Sequence, residues 1–294
     1  MKERTIYALG FFDGVHLGHQ ALLRACKELA AATGGEAGVV TFTSHPDTLV
    51  SGKTPALINT PTDRKLLLEA YGVRRIVALP FDRALMNMSW QDFFRLLLEK
   101  YNATGIVCGE DFRFGKGGQG TADLLRQVCQ QQNIPCHIVP AQKLNGITVS
   151  STHIRTLLQA GDMETAVAFL GHPHIFSGTV VAGRGLGHTI GIPTANMLLP
   201  EELAQLKLGV YAGCAVVDGK TYPAVTNIGS RPTVGGHQIR AESWLLDFDA
   251  DLYGKRICLQ LYAFLRPEQK FATLEELQAE IRKNAAQTRK ILEK

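Results

Sequence analysis

Near Phe169 the spacing of apolar residues changes, and no single regular architecture accommodates both halves of the chain. Before that point short apolar runs alternate with amphipathic stretches. The runs over 5–10, 38–43, 75–80, 105–109 and 137–140 read as strands. Between them, 20–32 places Leu22, Cys26 and Leu29 on one helical face, Ser89 is positioned to cap a helix over 90–101, and Thr121 one over 122–132. Strand, helix, strand in repetition predicts an α/β domain whose parallel sheet is covered on both faces. Beyond 169 the sequence is β-rich. Runs over 209–217 and 220–226 flank Asp218-Gly219, a pair that supplies the positive φ angles of a type I′ hairpin. Further strands are expected over 241–248 and 256–264, and Thr273-Leu274-Glu275-Glu276 is a capping box opening a helix toward Leu292. The boundary is expected within Gly171-His172-Pro173-His174, giving domains 1–171 and 172–294.

A length of 294 residues suits two domains of roughly 150 residues each. The net charge of +4 comes from 31 basic and 27 acidic residues without long runs of either sign, which favours anionic small molecules as partners over nucleic acid. The cysteines form no C-x-x-C pair and have no histidine at zinc-finger spacing, so they read as small core residues in a reducing compartment. No apolar run approaches the ~18 residues of a membrane span, and the start Met1-Lys2-Glu3-Arg4 is not that of a leader peptide. The expected location is therefore the cytoplasm, without membrane partners.

Two constellations carry chemistry. The first, Gly10-Phe11-Phe12-Asp13-Gly14-Val15-His16-Leu17-Gly18-His19, lies where the first strand turns into the first helix. Glycines there let backbone approach a phosphate, and His16 and His19 can donate to phosphate oxygens near a helix N-terminus, where unpaired N–H groups already favour anions. The stretch resembles the H-x-G-H signature of nucleotidyltransferases and, with the residues before it, the FAD synthetase branch. Thr41-Phe42-Thr43-Ser44-His45-Pro46, Gly109-Glu110-Asp111-Phe112-Arg113-Phe114-Gly115 and Ser150-Ser151-Thr152-His153-Ile154-Arg155 are similar to further segments of that branch. The resemblance implies a Rossmann-like domain in which His16 and His19 meet the ATP phosphates. Gly10, Phe12, Asp13 and Gly14 would line the nucleotide site, with Arg155, Ser151 and Thr152 on the departing pyrophosphate and Asp111 and Phe112 beside flavin or nucleotide. Phe11 departs from the polar residue often found at its position. Gly115 to Thr121 imitates a P-loop but lacks the lysine before its threonine, which excludes that assignment.

The second constellation is Gly183-Arg184-Gly185-Leu186-Gly187-His188 followed by Pro193-Thr194-Ala195-Asn196. Oxygen ligands two residues apart, Thr194 and Asn196, suit a hard cation such as Mg²⁺ shared with substrate phosphate. Pro193-Thr194-Ala195-Asn196 resembles a motif of riboflavin kinases, and the similarity continues through Gly209-Val210-Tyr211-Ala212-Gly213, Asn227-Ile228-Gly229-Ser230-Arg231-Pro232-Thr233 and Glu242. It implies a small β-barrel, a nucleotide loop at Gly183, Gly185 and Gly187, Glu242 as catalytic base and Arg289 near the flavin. His188, Asn284 and Thr288 depart from residues common in that family. Asp247, Asp249 and Asp251 imitate an EF-hand, but Leu252 and Cys258 replace its glycine and closing glutamate.

Together the resemblances imply a bifunctional enzyme that phosphorylates riboflavin to FMN and adenylylates FMN to FAD, with ATP and Mg²⁺. The alternative is one retained activity, FMN adenylylation, with the second domain a flavin-binding or regulatory module. Self-association into a homo-oligomer is compatible with either.

Overall fold

The computed structural model describes residues 4–183, 191–233 and 236–293. The chain divides into two compact units, Met1–Pro55 with Arg64–Ser150, and Ala56–Asp63 with Ser151–Lys294.

The first unit holds strands β1 (Thr5–Leu9), β2 (Glu36–Phe42), β3 (Arg75–Leu79), β4 (Ala103–Gly109) and β5 (Cys136–Val139) in one sheet, order β3-β2-β1-β4-β5, every pair parallel. All five residues of β1 are buried, as expected for a strand covered on both faces. Helix α1 (Leu17–Thr33) turns Leu22, Leu23, Cys26 and Ala30 inward and stops at Gly34, whose φ of 64° is left-handed. Helix α2 is Pro61–Ala70, and α3 (Trp90–Glu99) and α4 (Ala122–Gln131) follow. Ser89 and Thr121 cap α3 and α4 as their positions imply, accepting from the N–H groups of Asp92 at 3.0 Å and Leu124 at 3.1 Å. The core gathers Tyr7, Phe93, Leu97, Ile106, Leu125 and Cys129.

The second unit begins in sequence with the short segment 56–63. Helices α5 (Ser151–Ala160) and α6 (Met163–Leu170) precede β6 (His174–Thr179), β7 (Ala195–Leu198), β8 (Gly209–Val217), β9 (Lys220–Thr233), β10 (Gly236–Leu245) and β11 (Arg256–Arg266). These strands form one antiparallel sheet in the order β6-β11-β8-β9-β10-β7. An isolated bridge between Val181 and Asn196, sealed by the Val181 N–H donating to the Asn196 carbonyl at 2.8 Å, draws the sheet's two edges together and curls it toward a barrel. Asp218 (φ 48°) and Gly219 (φ 78°) make the expected hairpin turn. Helix α7 (Leu274–Leu292) packs on β8 and β9. Its cap, Thr273, accepts from the Glu276 N–H at 3.2 Å, while Glu276 reaches back to the Ala272 N–H at 2.9 Å, one residue beyond the usual capping box.

The segment 56–63 is stitched to the barrel. Leu57 exchanges backbone hydrogen bonds with Glu202 and Ala204, both 2.7 Å. Asn59 donates to the Ile175 carbonyl at 2.9 Å, and Asp63 accepts from the Ser177 N–H at 3.2 Å. The His174 ring Nε2–H donates to the Ile58 carbonyl at 3.1 Å, and burial pulls this histidine down to about 4. These contacts satisfy polar groups at a sheet edge that would otherwise stay unpaired.

The cysteines are free, four of them buried, in keeping with their reading as core residues. Burial pushes the Cys26 thiol up to about 11. Among the described residues no helix is long and apolar enough to cross a membrane.

Candidate active sites

In an open parallel sheet the ligand crevice lies beyond the carboxyl ends of the strands, where the strand order reverses. Here that point is β1, whose neighbours are β2 on one side and β4 on the other. The turn from β1 into α1 and the turn after β4 carrying Asp111 and Phe112 both lie at this edge.

The β1–α1 turn is conformationally expensive. Phe12 (φ 61°) and Val15 (φ 39°) occupy the left-handed region, beside Gly14 (φ 83°), and a bulky or β-branched residue there costs of order 1–3 kcal/mol. The surroundings hold it. Thr41 Oγ1 donates to the Phe11 carbonyl at 3.0 Å, the Gly10 N–H to the Val40 carbonyl at 3.2 Å, and Gln20 Nε2 to the Val15 carbonyl at 2.9 Å. Phe12 and Asp13 are buried. Strain maintained in this way at a sheet's ligand edge is a mark of a functional turn.

The turn delivers His16 as the N-cap of α1. Its Nδ1 accepts from the His19 backbone N–H at 3.3 Å, which leaves the ring's proton on Nε2. The two imidazoles stack, centroids 3.7 Å apart and planes 14° from parallel. Gly18 admits this arrangement, since a Cβ there would lie 3.2 Å from the His16 ring. Burial first, then His16 and the Arg64 cation, hold His19 well below the ordinary histidine value, so the free protein keeps it neutral. Its Nδ1 is buried with no hydrogen-bond partner among the described residues. A buried imidazole nitrogen at a helix N-terminus is a fit for an anionic oxygen.

The second site is a matter of strand register. Glu242 on β10 lies opposite Asn196 on β7 and opposite Asn227 on β9. Directly paired residues point to the same face, so the three form one row across the sheet. Glu242, Asn227 and Thr194 line a cavity of about 330 Å³ whose apolar wall includes Trp244, Phe271 and Ile281. A neighbouring cavity of about 450 Å³ is lined by Phe248, Asp249 and Tyr253, and Thr194 lines both. An apolar pocket of that size with a few converging polar groups suits a planar aromatic ligand. Asn196 Oδ1 is buried without a hydrogen-bond partner among the described residues, while its Nδ2 donates to the Thr194 carbonyl at 3.3 Å. A Cβ on Gly183 would lie 2.8 Å from the Asn196 Cγ, so glycine is required there for the amide to sit where it does. Thr194 and Asn196 thus offer neutral oxygens of the kind a hard cation accepts. No cluster of three or more acidic, His or Cys ligands occurs among the described residues.

A family model described as FAD synthetase matches residues 1–153, and one described as riboflavin kinase matches residues 170–292. Proteins named bifunctional riboflavin kinase/FMN adenylyltransferase are 36% identical in Escherichia coli strain K12 and 35% identical in Bacillus subtilis strain 168. These comparisons span 95% and 96% of this chain and 90% and 91% of those proteins. The chain belongs to the bifunctional riboflavin kinase/FMN adenylyltransferase family. A crystal structure described as a macrolide-efflux protein from Streptococcus pneumoniae is 29% identical, with a TM-score of 0.88 over 98% of this chain and 95% of that one. The efflux in that description belongs to that protein.

Against this family background the remaining expected positions fall as follows. Ser151, Thr152 and Arg155 lie in the first turns of α5, in the second compact unit. Phe112 stacks on Phe114 at 5.7 Å, and Asp111 is exposed. Arg289 Nη2 donates to both oxygens of the Asp247 carboxylate, at 2.9 and 2.8 Å. Asn284 lines the Glu242 cavity and accepts from Arg266 Nε at 3.1 Å, and buried Thr288 donates to the Asn284 carbonyl at 2.9 Å. Gly185, Gly187 and His188 lie outside the described residues. Reading the sequence missed Arg64, which bears on the His pair, and Asn227, quoted only as part of a motif. It missed α2 as well, although Thr60-Pro61-Thr62-Asp63 is a helix-start signal: Thr60 Oγ1 accepts from the Asp63 N–H at 3.1 Å, and Pro61 is the first helical residue.

Proposed function

We propose that residues 1–171 transfer an adenylyl group from ATP to FMN and residues 172–294 transfer a phosphoryl group from ATP to riboflavin, at separate sites with separate chemistry. The chain is an enzyme of a family defined by those two activities. What supports the division is that each family match contains a polar constellation of its own, the stacked His16–His19 pair in one and the Asn196–Glu242–Asn227 row in the other.

In adenylyl transfer an oxygen of the FMN phosphate attacks the α-phosphorus of ATP, the bond to the bridging oxygen breaks, and pyrophosphate leaves with the electron pair. The attacking oxygen is already ionised, so no general base is needed. Positioning and charge neutralisation are what the protein supplies. His16 and His19 receive the ATP phosphates, and Gly10, Phe12, Asp13 and Gly14 shape the nucleotide site. Ser151, Thr152 and Arg155 keep the pyrophosphate role their motif implies, and Asp111 and Phe112 that of flavin or nucleotide contacts.

In phosphoryl transfer the riboflavin 5′-hydroxyl attacks the γ-phosphorus, ADP leaves, and the hydroxyl proton passes to a base. Glu242 is that base, with Asn227 beside it in the register and Trp244 and Phe271 walling the flavin cavity. Thr194, which borders both cavities, and Asn196 would hold Mg²⁺, which neutralises charge on the transferring phosphate. Gly183, Gly185 and Gly187 keep the nucleotide role their motif implies, and Arg289 borders the flavin. Incubation with riboflavin, ATP and Mg²⁺, with the flavins separated by chromatography, tests the reading: FMN followed by FAD is expected, and FMN that is never converted to FAD, or no product from riboflavin, would contradict it.

A further inference from the structure

Arg64 belongs to no motif, yet it occupies a decisive place in the first unit. It is 4% exposed. Its Nη2 donates to the carbonyl of Phe42, the last residue of β2, at 2.7 Å. Its guanidinium carbon stands 4.2 Å from the centroid of the Phe11 ring, in the turn that leaves β1. Phe11 in turn meets the His45 ring edge-on at 4.6 Å, and its carbonyl accepts from Thr41. One side chain therefore ties the end of β2 to the strained turn that presents His16 and His19.

Burying a guanidinium is costly, and a merely apolar contact would be met better by methionine or leucine. Buried Asp13, in the same turn, offsets part of that cost by attraction. Burial lowers Arg64 to about 10, which still leaves it charged at neutral pH. A guanidinium carries five N–H donors, and among the described residues Arg64 directs one to Phe42. Its charge also reaches His19.

We infer that Arg64 is a positioning residue for adenylyl transfer, holding the Phe11–Val15 turn in the conformation that sets the two histidines against the ATP phosphates. The inference rests on the assignment of that turn to ATP given above. The guanidinium over the Phe11 ring together with the hydrogen bond to Phe42 demands arginine, because the single ammonium of lysine cannot cover the ring and reach the carbonyl in the same way.

The experiment uses the full chain as wild type, Arg64→Met, Arg64→Lys and His19→Ala, measuring FAD formation from FMN against ATP concentration and, separately, FMN formation from riboflavin. For Arg64→Met the expected result is kcat/KM for ATP in FAD formation lowered at least about tenfold, since small displacements of positioning groups carry large rate effects. FMN formation should stay at the wild-type rate, and Arg64→Lys should fall between the two. Wild-type ATP dependence in Arg64→Met would overturn the inference, as would an equal loss of both activities with no recovery in Arg64→Lys. Should Arg64→Met fail to fold, Arg64→Lys decides: a KM for ATP raised about threefold or more in FAD formation alone supports the inference, and a wild-type KM overturns it. His19→Ala separates the two claims. If it loses FAD formation while Arg64→Met does not, the ATP assignment stands and the role of Arg64 falls; if His19→Ala is fully active, the assignment itself is wrong.

Discussion

His16 and His19 face each other ring to ring, 3.7 Å between centroids, and the first accepts a hydrogen bond from the backbone of the second. Two imidazoles so close disfavour charge on each other, which fits a His19 that stays neutral in the free protein and gains a proton when polyphosphate arrives. Replacing His19 by alanine removes the member whose buried Nδ1 has no hydrogen-bond partner among the described residues. FAD formation should fall about a hundredfold or more, roughly 3 kcal/mol of barrier. FMN formation from riboflavin should continue at the wild-type rate, because Glu242 and Asn196 lie on the other unit's sheet. A variant still making FAD normally would refute the placement.

The same pair gives ATP binding a pH dependence with a definite sign. In the free protein His19 lies well below 6.5, held there by burial, by His16 and by Arg64. Phosphate oxygens favour the imidazolium and raise it. Between the free and the bound values, binding therefore takes up a proton, and ATP affinity weakens as pH rises through the bound value. Calorimetry near pH 6.5 in buffers of different ionisation enthalpy should show more proton uptake in wild type than in His19→Gln, a comparison that removes ATP's own titration. Equal uptake would mean that His19 does not meet the phosphates.

Gly183 lies against the Asn196 amide, with no room for a methyl group. Gly183→Ala should displace Asn196 from the row it shares with Glu242 and lower riboflavin phosphorylation by about tenfold or more, as a misplaced positioning group does. FAD formation from FMN should not change. Normal FMN formation in Gly183→Ala would remove Asn196 from the site.

How much of this was legible beforehand depended on the range of each cause. The caps at Ser89, Thr121 and Thr273 and the Asp218-Gly219 turn are set within four residues of chain, and all were readable. So was the His16–His19 turn, since glycine spacing at a strand end is local. The alignment of Asn196, Glu242 and Asn227 was not, because it depends on the exact register of β10 with its sequence neighbour β9 and with β7, some forty residues earlier. Nor did any local pattern mark Arg64, one of two adjacent basic residues in its helix, or show that 56–63 bonds to β6 more than a hundred residues later.

That last point bears on truncation. The motifs for phosphoryl transfer lie beyond His172, but α6 buries Met163, Ala166, Phe169 and Leu170 and packs on β6 and β11. A fragment 151–294 should melt several degrees above a fragment 172–294, given about 2–5 kcal/mol for each large buried side chain lost. Thermal unfolding followed by circular dichroism decides it. Equal midpoints would show that α6 contributes nothing to the second unit's stability.

The claim of two independent chemistries on one chain is tested most directly by mixing two defective full-length enzymes. Glu242→Gln keeps the shape of the base but cannot accept the hydroxyl proton, so it should lose about 10²- to 10⁴-fold in riboflavin phosphorylation and still convert FMN to FAD. His19→Ala should do the reverse. Given riboflavin, ATP and Mg²⁺, neither variant alone should yield appreciable FAD, and the mixture should yield it steadily after a lag in which FMN builds up. If each variant retains its one activity but the mixture forms no FAD, FMN does not pass between sites through solution and the separation drawn here is contradicted.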